Sequence, residues 1–302
     1  MGRIAEALKR AQQERNLRLA QTTDMSFGNV AAASVRTFGR GATRAESFSD
    51  CVQSLLKPPS SPQPFPITAP AVESESVGGE VVALHEPNSV TAEKFRSVRT
   101  RLITANPGGG PRVLALTSAL HGEGKTVTTA NLAFSFAELK YLRVAMVDLD
   151  FHACGLSCLL GAERQPGLAE VLRGELSLAE VCMPAVRDNL YLIPAGDPAG
   201  LLPSELLASK SFGGVFKELT ERFHYSLIDT PPVHEAADTG VIAPLCHSVI
   251  MVVRMNRTPE PLVDRCVKML QANRVNVAGC VLAGYHETRM ASLSHDYYQS
   301  TS

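Results

Sequence analysis

The sequence is short of charge in excess: 29 Lys and Arg against 30 Asp and Glu leave a formal net charge of −1. That balance gives no reason to expect nucleic acid or an anionic membrane surface as the main partner. No apolar run approaches the roughly 18 residues of a spanning helix, and the N-terminal stretch lacks the apolar centre of a signal peptide. The expectation is a chain with no membrane span of its own. Cysteine is odd in number, at 7, and scattered through apolar runs such as Val181-Cys182-Met183 and Gly279-Cys280-Val281, which suits a reducing cytoplasm rather than a disulfide framework. His152, Cys154 and Cys158 lack the second ligand pair that a structural zinc site wants, so ordinary thiols are expected there. Neither a Ser-His-Asp order nor a glycosidase-like carboxylate pair can be argued, and no internal repeat is visible.

What is present is core: hydrophobic residues make up 45% of 302, enough for one large or two small domains. The stretch Leu114-Ala115-Leu116-Thr117-Ser118-Ala119-Leu120-His121-Gly122-Glu123-Gly124-Lys125-Thr126 runs from an apolar strand through glycines into a helix-compatible run, Val127 to Leu139. Gly122 and Gly124 let the backbone turn its N–H groups inward, and the helix that follows offers its positive end to the same anion. Lys125 can reach terminal phosphates and the Thr126 hydroxyl can ligate Mg²⁺. Ala119 stands where the usual pattern has its first Gly. The expected phosphate-binding set is Gly122, Glu123, Gly124, Lys125, Thr126 and Val127.

Ahead of this motif, Ile4, Leu8, Ala11 and Leu17 recur at helical spacing, predicting an amphipathic helix over residues 1–20, either a docking element or a helix without a specific partner. Residues 21–80 are rich in Ser, Thr, Pro, Ala and Gly and read as a disordered linker. Val90, Phe95, Val98 and Leu102 then mark a helix, on which Glu93 and Arg96 fall one turn apart. Arg143 to Asp150 reads as a buried strand, with Asp148 and Asp150 on one side of it. Tyr225 to Asp229 reads as another. Carboxylates at that sheet edge are what a nucleotide-bound Mg²⁺ requires. Further strands at Leu190–Pro194, Ser248–Val253 and Asn276–Ala283 alternate with helices near Pro203–Phe223, Glu235–Ala243 and Pro259–Ala272. The pattern predicts one α/β domain over residues 81–285, a doubly wound and mostly parallel sheet of the P-loop NTPase type.

The order phosphate loop, Val147-Asp148-Leu149-Asp150, then Leu227-Ile228-Asp229-Thr230-Pro231-Pro232 resembles the Walker A, A′ and B motifs of the bacterial tyrosine kinases of capsular and exopolysaccharide synthesis, the BY-kinases. Glu93-x-x-Arg96-x-x-Arg99 resembles that family's oligomerisation helix, and Gly167 to Gly174, Pro194-Ala195-Gly196 and Pro203 to Leu207 resemble further family segments. Related partitioning ATPases carry a signature Lys where this chain has Leu120. The resemblance implies ATP and Mg²⁺ as ligands, with Lys125 on the phosphates, Thr126, Asp150 and Asp229 serving the metal, and Asp148 as the base for a tyrosine hydroxyl. It implies Tyr297 and Tyr298, in the tail 286–302, as phosphoacceptors delivered to a neighbouring subunit of a ring. It also implies a membrane-embedded activator of the polysaccharide co-polymerase kind, which would hold the chain at the inner face of the plasma membrane. The departures are the short tyrosine cluster, His152 for Arg, His121 for Pro, and Ala283-Gly284 in place of Asn. Two outcomes stay open: an autophosphorylating tyrosine kinase, and a regulatory ATPase or pseudokinase whose output is ATP-driven assembly.

Overall fold

A computed structural model describes residues 67–284. The expected N-terminal helix, most of the expected linker, and the tail with Tyr297 and Tyr298 lie outside the described residues. The sheet is formed by β1 (Arg112–Ser118), β2 (Val144–Asp148), β3 (Met183–Ala185), β4 (Arg187–Ile193), β5 (Tyr225–Asp229), β6 (Ser248–Arg254) and β7 (Val277–Ala283). Their spatial order is β3-β4-β2-β5-β1-β6-β7. All pairs are parallel except β3 with β4. In register, Leu116 of β1 lies beside Asp229 of β5, and Asp229 lies beside Asp148 of β2. The carboxylates and the phosphate loop are therefore set at one edge by strand pairing alone.

The strands are apolar on both faces because both faces are covered. Val113, Ala115, Val147, Ile193, Ile228 and Met251 belong to one core, and Leu114, Leu116, Met146, Leu192, Leu227 and Ile250 to the other. The helices are α1 (Val82–His85), α2 (Val90–Thr104), α3 (Lys125–Ala137), α4 (Gly155–Leu159), α5 (Leu168–Arg173), α6 (Leu178–Val181), α7 (Pro203–Leu207), α8 (Phe212–Arg222), α9 (Asp238–Ile242) and α10 (Glu260–Ala272). Helix α3 opens with a Thr-Val-Thr-Thr run of modest helix propensity. Tertiary packing overrides that preference: Leu132, Phe134 and Phe136 are fully buried, the Phe136 ring 4.4 Å from that of Tyr225.

The expected linker is corrected at its end, because residues 67–80 belong to the ordered domain. Val72 and Val77 are buried, Val72 bridges to Ala185, and Asn131 of α3 receives the Ala83 N–H and donates to the Glu80 carbonyl. A few valines among polar residues are invisible to composition, yet each fills a slot in the core. The helical stretch expected over Pro203–Phe223 is split into α7 and α8 around Ser209, and that expected over Glu235–Ala243 shortens to α9 followed by a 3₁₀ turn at Ala243–Leu245 that holds Pro244.

Helix α2 is capped by Ser89, whose hydroxyl accepts the Ala92 N–H at 3.2 Å. Both arginines of its Glu93-x-x-Arg96-x-x-Arg99 pattern turn inward onto the end of α3. Arg96 meets the two oxygens of Glu138 at 2.8 and 2.7 Å, and Arg99 meets Glu138 at 2.9 Å and the Ser135 carbonyl at 2.6 Å. Glu93 pairs with Arg96 but stays 65% exposed. Removing Glu138 leaves two half-buried guanidiniums facing each other. Glu138→Ala is therefore expected to cost about 2 kcal/mol, a buried-pair penalty discounted for partial exposure. Urea unfolding checks this, and an unchanged midpoint would show that the cluster is only a solvated surface.

Candidate functional site

The site lies at the carboxyl edge of β1, β2 and β5. After Ser118 the chain turns through Ala119–Gly124, with Gly122 and Gly124 in left-handed conformations at φ 75° and 94°. An L side chain would be strained at either position. Glu123, expected among the phosphate-binding residues, carries its carboxylate the other way. It is fully buried, accepting from the Ala119 N–H at 3.0 Å and from the Thr258 hydroxyl. Only its backbone remains for an anion, and the inward carboxylate spares a phosphate a like charge. Val127 sits in the first turn of α3 and contributes backbone to the same helix end.

Lys125 and Thr126, the first residues of α3, reach across to the neighbouring strands. The Lys125 Nζ is 2.8 Å from Asp150 Oδ2, with both side chains almost fully buried. The Thr126 hydroxyl donates to Asp229 Oδ2 at 2.7 Å. Asp229 Oδ1 is buried and has no hydrogen-bond partner among the described residues. Asp148 is fully buried: its Oδ2 receives both the N–H and the hydroxyl of Ser157 at 2.8 Å, and its Oδ1 receives the Asp150 N–H at 3.2 Å. The Ser157 hydroxyl accepts the Ala195 N–H at 3.0 Å, which ties this corner to the end of β4. The strand expected to run to Asp150 ends at Asp148; Asp150 lies two residues beyond it, with its N–H on Asp148 Oδ1, and the register brings Asp229 beside Asp148.

One lysine among these carboxylates leaves the pocket short of positive charge. Burial pushes the Asp229 carboxyl up to about 7 despite Lys125, and burial pushes Asp148 up to about 6 against the pull of the Ser157 donors. Burial acts to lower the Lys125 ammonium, but Asp229 and Asp150 outweigh it and hold the pKa above its ordinary value. Among the described residues no set of three His, Cys, Asp or Glu side chains is placed to hold a metal alone. The donor set nevertheless fits Mg²⁺ bound together with phosphate, since that ion takes one or two carboxylates and completes its shell with water and substrate oxygens. The unpartnered Asp229 Oδ1 and the adjacent Thr126 hydroxyl are such donors.

Several neighbours are joined to the site by contacts that no short sequence pattern shows. Glu235 receives the His121 N–H at 3.1 Å, His152 meets Asp238 at 3.0 Å, and Arg254 and Arg257 both donate to the Gly122 carbonyl. Each contact joins residues far apart in the chain, and Ser157, Thr258 and Asp238 belong to no short pattern. Cys154, beside the acidic corner, is a neutral thiol, pushed up to about 11 by burial first and by Asp148. Glu93, Arg96 and Arg99 stand apart from this edge, on α2.

The family model described as an AAA domain matches residues 111–259. The chain is 29% identical over 221 residues to the tyrosine-protein kinase wzc of Salmonella typhi, covering 73% of this chain and 30% of that protein. It is 26% identical over 197 residues to the putative tyrosine-protein kinase CapB of Staphylococcus aureus, covering 65% of this chain and 86% of that protein. Among solved structures, the kinase domain of VpsO is 30% identical, with a TM-score of 0.60 over 67% of this chain and 98% of that one. The chain thus spans under a third of the length of wzc. No helix among the described residues is long and apolar enough to cross a membrane.

Proposed function

We propose, because the chain belongs to the family of bacterial tyrosine kinases of capsule and exopolysaccharide synthesis, that it transfers the γ-phosphate of ATP to tyrosines of a second copy of itself. The observation that carries this reading is the convergence of Lys125 and Thr126, at the start of α3, on Asp150 and Asp229 at the ends of two neighbouring strands. Phosphoryl transfer needs positioning and neutralisation of charge more than covalent help from the protein, and this cluster is equipped for both.

In this reading the Gly122–Val127 backbone cradles the phosphates, and Lys125 exchanges its Asp150 partner for phosphate oxygens. Thr126, Asp150 and Asp229 hold Mg²⁺, which when bound neutralises charge on the phosphates. Asp148 is the proton acceptor for the tyrosine hydroxyl. Its pKa, pushed up to about 6 by burial, suits a base working near neutrality. Its complete burial means that a hydroxyl reaches it only when the segment after β2 moves, and release of Asp150 by Lys125 would permit that. Glu93, 65% exposed while both arginines are engaged with Glu138, is the member of that three-residue pattern most open to a neighbouring copy in a ring. Tyr297 and Tyr298 are the acceptors, and a membrane-embedded co-polymerase-type protein is the activator that holds the chain at the cytoplasmic face.

A second reading rests on the same Asp148. With its oxygens occupied by Ser157 and Asp150, it serves as a structural post, and nucleotide binding drives assembly without transfer. Intact-mass analysis after incubation with Mg-ATP and membranes containing the activator separates the two. Phosphate that disappears in the Tyr297→Phe/Tyr298→Phe variant supports the kinase, whereas bound nucleotide with unchanged mass supports assembly.

A further inference from the structure

The phosphate loop is gripped from the side opposite its metal-facing carboxylates. The segment after β6 folds back on itself, with the Thr258 N–H bonded to the Arg254 carbonyl at 3.1 Å and the Met255 N–H to Ala283 at 2.9 Å. From this turn Arg254 and Arg257 each donate an Nη1 hydrogen to the Gly122 carbonyl, at 3.1 and 3.2 Å. Thr258 donates to the buried carboxylate of Glu123, the next residue. Any side chain at Gly122 would crowd this grip: a Cβ there would stand 3.1 Å from Arg257 Nη1.

In a trans peptide the carbonyl and the following N–H point in opposite directions. Two guanidiniums on the Gly122 oxygen therefore aim the Glu123 N–H away from themselves. They also polarise that peptide, strengthening the N–H as a donor to an anion. Gly122, left-handed at φ 75°, leaves this peptide free to flip, and a flip would turn a carbonyl oxygen toward the phosphates. Thr258 and the Ala119 N–H together keep the Glu123 carboxylate out of the cradle.

We propose that Arg254 and Arg257, assisted by Thr258, act as a strap that holds the Gly122–Glu123 peptide in its anion-receiving orientation, making the two arginines positioning residues for nucleotide phosphate. The proposal rests on the nucleotide-site reading above and adds to it residues outside the loop. Because both arginines hold one oxygen, either alone suffices. The single Arg254→Ala and Arg257→Ala variants are expected to bind less than about 3-fold more weakly, and the double variant at least about 10-fold more weakly, a non-additive loss.

The test is binding of a fluorescent ATP analogue to the full chain with Mg²⁺, and its displacement by inorganic tripolyphosphate, with unfolding curves to verify each variant's fold. The strap affects every phosphate ligand, so the double variant should lose affinity for the analogue and for tripolyphosphate by the same factor, and Arg254→Lys/Arg257→Lys should recover much of it. Loss confined to the analogue would overturn the proposal, because the arginines would then be touching the nucleoside. Additive single losses, or no loss, would also overturn it. Lys125→Ala distinguishes the two levels: if it weakens binding while the double arginine variant does not, the strap alone falls. If Lys125→Ala has no effect, the phosphate site falls with it.

Discussion

Lys125→Ala is expected to abolish phosphate transfer to tyrosine, by at least about 100-fold, the scale seen when one preorganised charge is removed from a reacting group. Among the described residues Lys125 is the one cation bonded to the acidic cluster, and the helix that carries it begins at that residue. Its ammonium is held charged by Asp229 and Asp150 despite burial, so it is available for phosphate across the physiological pH range. The same substitution leaves Asp150 buried without its partner and removes the positive charge that faces Asp229 and Asp148. Loss of activity should therefore come with a lower Tm for the nucleotide-free chain. The measurement is a time course of phosphotyrosine beside a thermal melt. Retained labelling would show that the phosphates are held elsewhere, and lost labelling at unchanged Tm would show that the Lys125–Asp150 pair adds nothing to the fold.

Asp229→Asn is expected to separate function from stability in opposite directions. The carboxylate is fully buried, has one oxygen without a hydrogen-bond partner among the described residues, and is pushed up to about 7 by burial. The folded state thus keeps its proton to higher pH than the unfolded chain does, and stability from this group falls as pH rises from the ordinary carboxylate range to about 7. An amide of the same shape carries no charge to bury. The variant should melt a few degrees above the parent at pH 8 and by a clearly smaller margin at pH 5, when both are compared without nucleotide. Mg²⁺-dependent ATP binding should meanwhile weaken at least about tenfold, the loss typical of disturbing a metal shell. A variant that melts lower at pH 8 would mean that attraction to Lys125 outweighs the burial penalty. One that binds Mg-ATP normally would remove Asp229 from the metal set.

Much of this site could be read before the fold was known, because its parts are local patterns. The glycines, Lys125 and Thr126 lie within one turn and helix start, and Asp148 and Asp150 lie at and just beyond the end of one strand. The junction of strand and helix gave the loop its context, and the alternating strands and helices gave the doubly wound sheet. What stayed hidden depends on distant segments. β3 is three residues long and contains Pro184, too short and irregular for any period to register. Helices α4, α5 and α6 are each six residues or fewer, below the length at which amphipathic spacing is legible. Ser157 meets Asp148 only because the chain folds back after β2, and Thr258 meets Glu123 across more than a hundred residues. The Arg96 and Arg99 pattern was visible, but its engagement with Glu138 was not, since periodicity within α2 says nothing about the end of α3.

The engaged arginines also bear on assembly. Substitutions at Arg96 or Arg99 disturb the packing of α2 on α3 before they touch any neighbour, so a ring lost in such variants would not by itself identify an interface. Glu93 touches that cluster only through Arg96 and is 65% exposed, so its substitution disturbs the packing least.

Transfer between copies of the chain is the central claim, and a mixing experiment tests it most directly. A Lys125→Ala chain that keeps both tail tyrosines is combined with a Tyr297→Phe/Tyr298→Phe chain that keeps the site, in Mg-ATP and membranes containing the activator. The expected result is phosphate on Tyr297 or Tyr298 of the Lys125→Ala chain, although neither protein alone becomes labelled. A mixture that binds ATP and stays unlabelled, while the unaltered chain labels its own tail, would contradict transfer between subunits.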